Sequence, residues 1–193
     1  MLDKKNVNER EIAWGISGSG DRLRETFKVI KKIKMDYGDE IKISVYLSKA
    51  GEQVVTYYKL MDELKDVFKN IQVEINSNTP FLAGALQLDK FEFLLIAPAT
   101  SNTVAKISCG IADTLLSNAA IMALKAFVPV YLMPSDYEEG TITTILPNGK
   151  YLKLRVRKED AENVKKISCI EDIFILKNPE EIHYVFKKHF VNK

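Results

Sequence analysis

The run Ala97-Pro98-Ala99-Thr100-Ser101-Asn102-Thr103-Val104-Ala105-Lys106, continued by Gly110-Ile111-Ala112-Asp113, gathers the side chains best suited to chemistry. It follows an apolar stretch, Phe93 to Ile96, that reads as a buried strand, and the spacing after it turns helical. Thr100 to Thr103 therefore sit on a strand-to-helix turn. In open α/β sheets ligands bind at the carboxyl ends of the strands, and the N–H groups of a starting helix attract anions. Capping alone also favours Ser, Thr and Asn at a helix start. Four such residues in a row exceed one cap, so ligand contact and capping both stand as readings of this turn.

Two further turns share the pattern. Gly15-Ile16-Ser17-Gly18-Ser19-Gly20 follows a first apolar stretch, and Ser48-Lys49 follows a second. The glycine run departs from the usual dinucleotide fingerprint, and its glycines also suit simple tight turning. Ser48 stands where a dinucleotide site would carry an acidic residue for the ribose hydroxyl. Three polar strand ends opening on one crevice point to a phosphate-bearing ligand, and the missing acid points to a mononucleotide rather than NAD.

The elements that must position these turns alternate. Strands are predicted at Ile12 to Ser17, Ile41 to Leu47, Ile71 to Ile75, Phe93 to Ile96 and Pro129 to Met133. Helices are predicted at Asp21 to Met35, Glu52 to Phe68, from Thr79-Pro80 with Pro at the first helical position, and through most of Ser101 to Phe127. Such alternation implies a doubly wound parallel α/β sheet with helices on both faces. The tail differs. Thr141 to Leu146 and Tyr151 to Val156 flank Pro147-Asn148-Gly149-Lys150, a hairpin signal. Helices at about Glu159 to Lys166 and Pro179 to Phe190 follow.

Composition narrows the classes. The chain has 193 residues, which suits one α/β unit with a sizeable core. Its net charge of +2 makes no case for broad nucleic-acid binding. No apolar run approaches a membrane span, and Met1 to Glu11 lacks the apolar segment of a signal peptide; a cytoplasmic protein is the expectation. Cys109 and Cys169 are too few for an iron–sulfur cluster in one chain. They make no zinc pattern with His183 and His189, so no metal site is expected. The cysteines read as buried small apolar residues and the histidines as surface residues of the last helix.

These motifs resemble the homo-oligomeric flavin-containing cysteine decarboxylase superfamily, which binds FMN on a Rossmann-like fold. Ile16 to Gly20 is similar to its first glycine turn, Ser48-Lys49-Ala50 to its second-strand motif, and Pro98 to Thr103 to its signature, with Lys106 and Gly110 to Asp113 continuing the match. The likeness covers roughly residues 10 to 136. It implies one Rossmann-like FMN-binding unit over residues 1–193, with a hairpin-bearing extension from about residue 137. It places the phosphate on Gly18, Ser19, Gly20 and Ser48, and the ring and ribityl chain against Thr100, Ser101, Asn102 and Thr103. Lys49 and Lys106 are candidate charge partners, each equally readable as a solvent-exposed lysine.

The departures choose among branches. The decarboxylases' catalytic His corresponds to Gly84, their substrate-motif Asn to Asp136, and the prenyltransferase Arg to Ser135. What is left resembles archaeal flavoproteins of the dihydromethanopterin reductase kind, which share the hairpin-bearing tail. The resemblance implies an FMN-dependent oxidoreductase fed by a ferredoxin-like donor and emptied by a pterin or another small acceptor. It also implies a homo-oligomer, a trimer or a multiple of one. The Ala-rich stretch Asn118 to Ala126 offers a close-packing face for that, or for the chain's own core. Arg22, Arg24, Lys28, Lys31, Lys32 and Lys34 on the first helix suit an acidic donor. Two other classes stay open: a carrier that stores flavin without turnover, and a lyase using Asp136 or Asp113 as its base.

Overall fold

In the computed structural model, which describes residues 10–190, the apolar runs become six parallel strands. The chain runs β1 (Arg10–Ile16), α1 (Leu23–Tyr37), β2 (Ile41–Leu47), α2 (Lys49–Tyr57), α3 (Met61–Val67), β3 (Asn70–Val73) and α4 (Leu82–Gln87). It continues through β4 (Leu94–Ala99), α5 (Ser101–Ser108), α6 (Leu115–Lys125) and β5 (Val130–Pro134). After the hairpin β6 (Gly140–Ile145) and β7 (Tyr151–Val156) come α7 (Lys158–Ile167), β8 (Ile173–Ile175) and α8 (Glu181–Phe190). The sheet order is β3-β2-β1-β4-β5-β8, and β6-β7 forms a separate antiparallel pair. The order reverses between β1 and β4, so the loops after these two strands diverge and leave a crevice between them.

Each face of the sheet is sealed by its own cluster. Ile12, Trp14 and Ile16 of β1 pack with α1, α2, α3 and α8 on one side. Ala13, Leu94 and Ile96 pack with α4, α5, α6 and α7 on the other. Trp14 is fully buried at the middle of β1, where its Nε1–H donates to the Ala97 carbonyl at 2.8 Å. That bond ties β1 to the signature strand just below the crevice. Among the described residues no helix is long and apolar enough to cross a membrane.

Several boundaries differ from the sequence reading. The helix expected over 52–68 is two, parted at Lys59, whose φ of +57° is left-handed. Val55, Tyr58, Leu60 and Leu64 all face the same core, so the apolar period runs unbroken across the bend. The helix expected over 101–127 stops at Gly110 (φ +72°), where Ile111 N–H closes on the Lys106 carbonyl. It restarts behind the Thr114–Ser117 capping box. Pro80 is not a first helical residue; it lies in a tight turn, and α4 begins at Leu82. The short strand β8 has no counterpart in the sequence reading.

Two side-chain expectations also change, and one open alternative is decided. Cys109 and Cys169 are exposed rather than buried, since each follows the last turn of a helix. His189 is half-buried, with its Nε2 2.9 Å from the Tyr131 hydroxyl, and burial pushes that hydroxyl's pKa up to about 12. The Ala-rich face of α6 is spent within the chain: Ala119, Ala120 and Ala123 are fully buried in the second core cluster. The charged start read over residues 1–9 lies outside the described residues.

Candidate functional site

Three strand ends are stitched together across the reversal point. Ser17, buried at the end of β1, donates its hydroxyl to the Pro98 carbonyl at 2.9 Å and accepts the Thr100 N–H at 2.8 Å. Ser19 accepts from the Ser135 hydroxyl at 2.6 Å and from the Asp21 N–H at 3.2 Å. The Ser101 hydroxyl donates to the Asp136 carboxylate. The loops after β1, β4 and β5 thus form one hydrogen-bonded platform. Its frame comes from the parallel pairings β1–β4 and β4–β5.

Above the platform lies a cleft of about 450 Å³. Its floor is polar: Gly18, Ser19, Gly20, Asp21, Thr100, Ser101, Asn102, Ser135 and Asp136. The opposite walls are apolar, with Val54, Tyr57 and Tyr58 from α2 and its end, and Ile142, Leu152 and Leu154 from the hairpin. Strand alternation puts Ile142, Thr144, Leu152 and Leu154 on the inner face of β6–β7. Leu152 and Leu154 stay 38% and 44% exposed, because an open cleft rather than a core lies beneath them. The volume is within the usual range for small-molecule sites.

The residues singled out in the sequence separate by place. Gly18, Ser19, Gly20, Thr100, Ser101 and Asn102 share the cleft. Thr103 is buried behind it, with its N–H and hydroxyl engaged by the capping hydroxyl of Thr100. Ser48 caps α2 by accepting the Gly51 N–H at 2.9 Å. The start of α2 abuts the glycine turn, for a Cβ on Gly18 would lie 2.6 Å from that of Ala50. Lys49 donates its N–H to Glu74, whose other oxygen accepts the Leu115 N–H at 2.8 Å. Lys106 is paired with Asp113 at 2.8 Å and is not among the cleft residues.

Ser17 belongs to the glycine turn read from the sequence but not to its candidate site residues, and Asp21, Tyr57, Tyr58 and Glu74 carry no site signal there. Ser135 and Asp136 were visible as the polar pair ending the fifth strand, by the same strand-end rule as the others. Tyr57 and Tyr58 were hidden in a helical stripe. Tyr58 lies across the first loop, and a Cβ on Gly20 would fall 2.4 Å from its hydroxyl, so with the ring in this place only glycine fits. Burial raises the pKa of Asp21, with Asp136 and Glu25 adding to the rise and Arg22 opposing it. Burial also raises that of Tyr58, helped by Tyr57 and Asp21 and opposed by Arg24. Among the described residues no group of three His, Cys, Asp or Glu could hold a metal ion.

Comparison with known proteins gives this geometry a context. A family model described as Flavoprotein matches residues 2–183. The chain is 48% identical over 179 residues to an uncharacterised protein of Methanocaldococcus jannaschii, covering 93% of this chain and 95% of that one. It is 33% identical over 231 residues to a dihydromethanopterin reductase (acceptor) of the same organism, covering 89% and 94%. The crystal structure of Burkholderia xenovorans DmrB in complex with FMN, described as a cubic protein cage for redox transfer, superposes with a TM-score of 0.79. That likeness covers 95% of this chain and 96% of that one at 28% identity.

Proposed function

The chain belongs to the Flavoprotein family, and from that premise we propose that it binds FMN in the strand-end cleft and serves as a redox protein. In this reading electrons enter from a ferredoxin-like donor and leave to a pterin of the dihydromethanopterin kind or another small acceptor. One observation carries it: the cleft joins a polar floor of hydroxyl, amide, carboxylate and backbone groups to a half-exposed apolar roof. A flat ring on a polyhydroxylated, phosphorylated tail meets both surfaces, whereas a wholly polar ligand would leave the roof wet.

The residues divide the work by chemistry. The phosphate belongs with Gly18, Ser19 and Gly20 and the neighbouring start of α2 at Ser48. Thr100, Ser101 and Asn102 supply polar contacts to the tail and ring edge. Ile142, Leu152, Leu154 and Tyr57 cover the ring and exclude water. The bound flavin would supply the hydride and one-electron chemistry; the chain supplies orientation and electrostatics.

The lyase alternative has less support. The position matching the decarboxylase base is Gly84, which carries no side chain to act as one. A pure carrier would share the cleft, so only turnover separates it from a redox protein. Purified protein is expected to release FMN on denaturation, to be reduced anaerobically by ferredoxin, and to be reoxidised by a dihydropterin acceptor. Stoichiometric FAD or NAD in the released fraction would overturn the cofactor assignment. Reduction without reoxidation by any acceptor would leave the carrier reading in its place.

A further inference from the structure

The outer face of the hairpin has a composition that its own packing does not require. Register pairs Thr141 with Arg155, Thr143 with Lys153 and Ile145 with Tyr151 on that face. All six are exposed, Tyr151 at 77% and Ile145 at 57%. The Ile145–Tyr151 pair has a job within the hairpin, since a cross-strand aromatic and a β-branched residue stabilise each other. Lys153 and Arg155 have no such job. Together with Lys150 in the turn they make no ion pair among the described residues. The inner face of the same two strands roofs the cleft.

We propose that this outer face, built on Lys150, Tyr151, Lys153 and Arg155, is the docking surface for an acidic electron-donor protein. The proposal rests on the redox reading above and names where its donor binds. A two-stranded layer is one sheet thick, and layers pack about 10 Å apart. A partner seated on the outer face is thus separated from the cleft by the hairpin alone. Each docking event passes one electron. Two donor molecules are oxidised, and two protons are taken from water, for every two-electron reduction of the site.

The first helix is the rival surface, and its cations are less available. Lys31 is paired with Glu63 at 2.8 Å, and Lys34 donates to the Gly38 and Ile41 carbonyls. Arg22 donates to the Lys177 carbonyl and Arg24 to that of Tyr58. Lys28 and Lys32 are exposed, but they lie about 8–14 Å down the axis from the start of α1, away from the cleft. Glu25 and Asp36 on the same helix dilute their field.

The test compares the parent with Lys153→Glu/Arg155→Glu and Lys28→Glu/Lys32→Glu, using reduced plant-type [2Fe–2S] ferredoxin as the acidic donor and dithionite as a small reductant. The hairpin variant is expected to be reduced by ferredoxin on the order of ten-fold more slowly at low ionic strength, with the difference closing as salt is added. FMN content and the dithionite rate should match the parent. Binding of oxidised ferredoxin to flavin-stripped protein, measured calorimetrically, should weaken in the same variant. An unchanged hairpin variant, with or without slowing in the helix variant, overturns the proposal. So does charge-dependent binding to anionic vesicles in place of ferredoxin. Protein that holds no flavin would refute the redox reading instead, and the calorimetric comparison would then decide the docking surface on its own.

Discussion

Asn102 is the polar residue of the signature turn that has no structural duty. Thr100 caps α5, Thr103 answers it, and Ser101 is bound to Asp136. Asn102 is exposed and lines the cleft, and its side chain makes no hydrogen bond among the described residues. The ambiguity between capping and ligand contact therefore divides residue by residue, with the cap falling to Thr100 and the ligand left to Asn102. Asn102→Ala is expected to weaken FMN binding by about 1–3 kcal/mol, roughly five- to 150-fold, read from flavin fluorescence titration of the stripped protein. Equal affinity in variant and parent would return Asn102 to solvent.

Among the elements, the starts of α2 and α6 share one side-chain acceptor. Glu74 spans the Lys49 and Leu115 N–H groups, so one carboxylate serves two helix starts that lie far apart in sequence. Negative charge there is favourable to both helices. Glu74→Ala should cost about 1–2 kcal/mol of stability, and Glu74→Gln less, by urea denaturation; no change in the midpoint would show that water replaces the carboxylate freely. Contacts of this kind are invisible in a sequence, because nothing local marks Glu74 as the partner of Leu115. What was legible followed from local rules. Apolar runs located the five long strands, Asn148-Gly149 located the hairpin, and polar residues after each strand located most of the floor. Gly110 and Thr114 were legible too, as a stop and a start, but the apolar period bridged them. The left-handed Lys59 carried no signal at all, and neither did the placement of the hairpin over the cleft, which depends on distant packing.

At the scale of the whole molecule, the proposed assembly would have to use a surface other than the alanine face of α6, which is buried within the chain. The described exposed apolar residues include Ile75, Phe81 and Ile111, at 66%, 68% and 45%. They flank the start of α6, where Asn118 holds the 75–79 turn through the Ser77 carbonyl at 2.9 Å. Light scattering is expected to give about 66 kDa, three times the 21.9 kDa chain, or a multiple of it. Phe81→Glu should lower that mass. A monomer at micromolar concentration would contradict the assembly. The buried indole of Trp14 has an optical consequence. It is the chain's single tryptophan, set in the strand that ends at the platform. Its emission therefore comes from one place, blue while the sheet excludes water and dimmed by energy transfer whenever a yellow ring lies in the cleft, so the protein carries its own lamp for reading occupancy and unfolding in one spectrum.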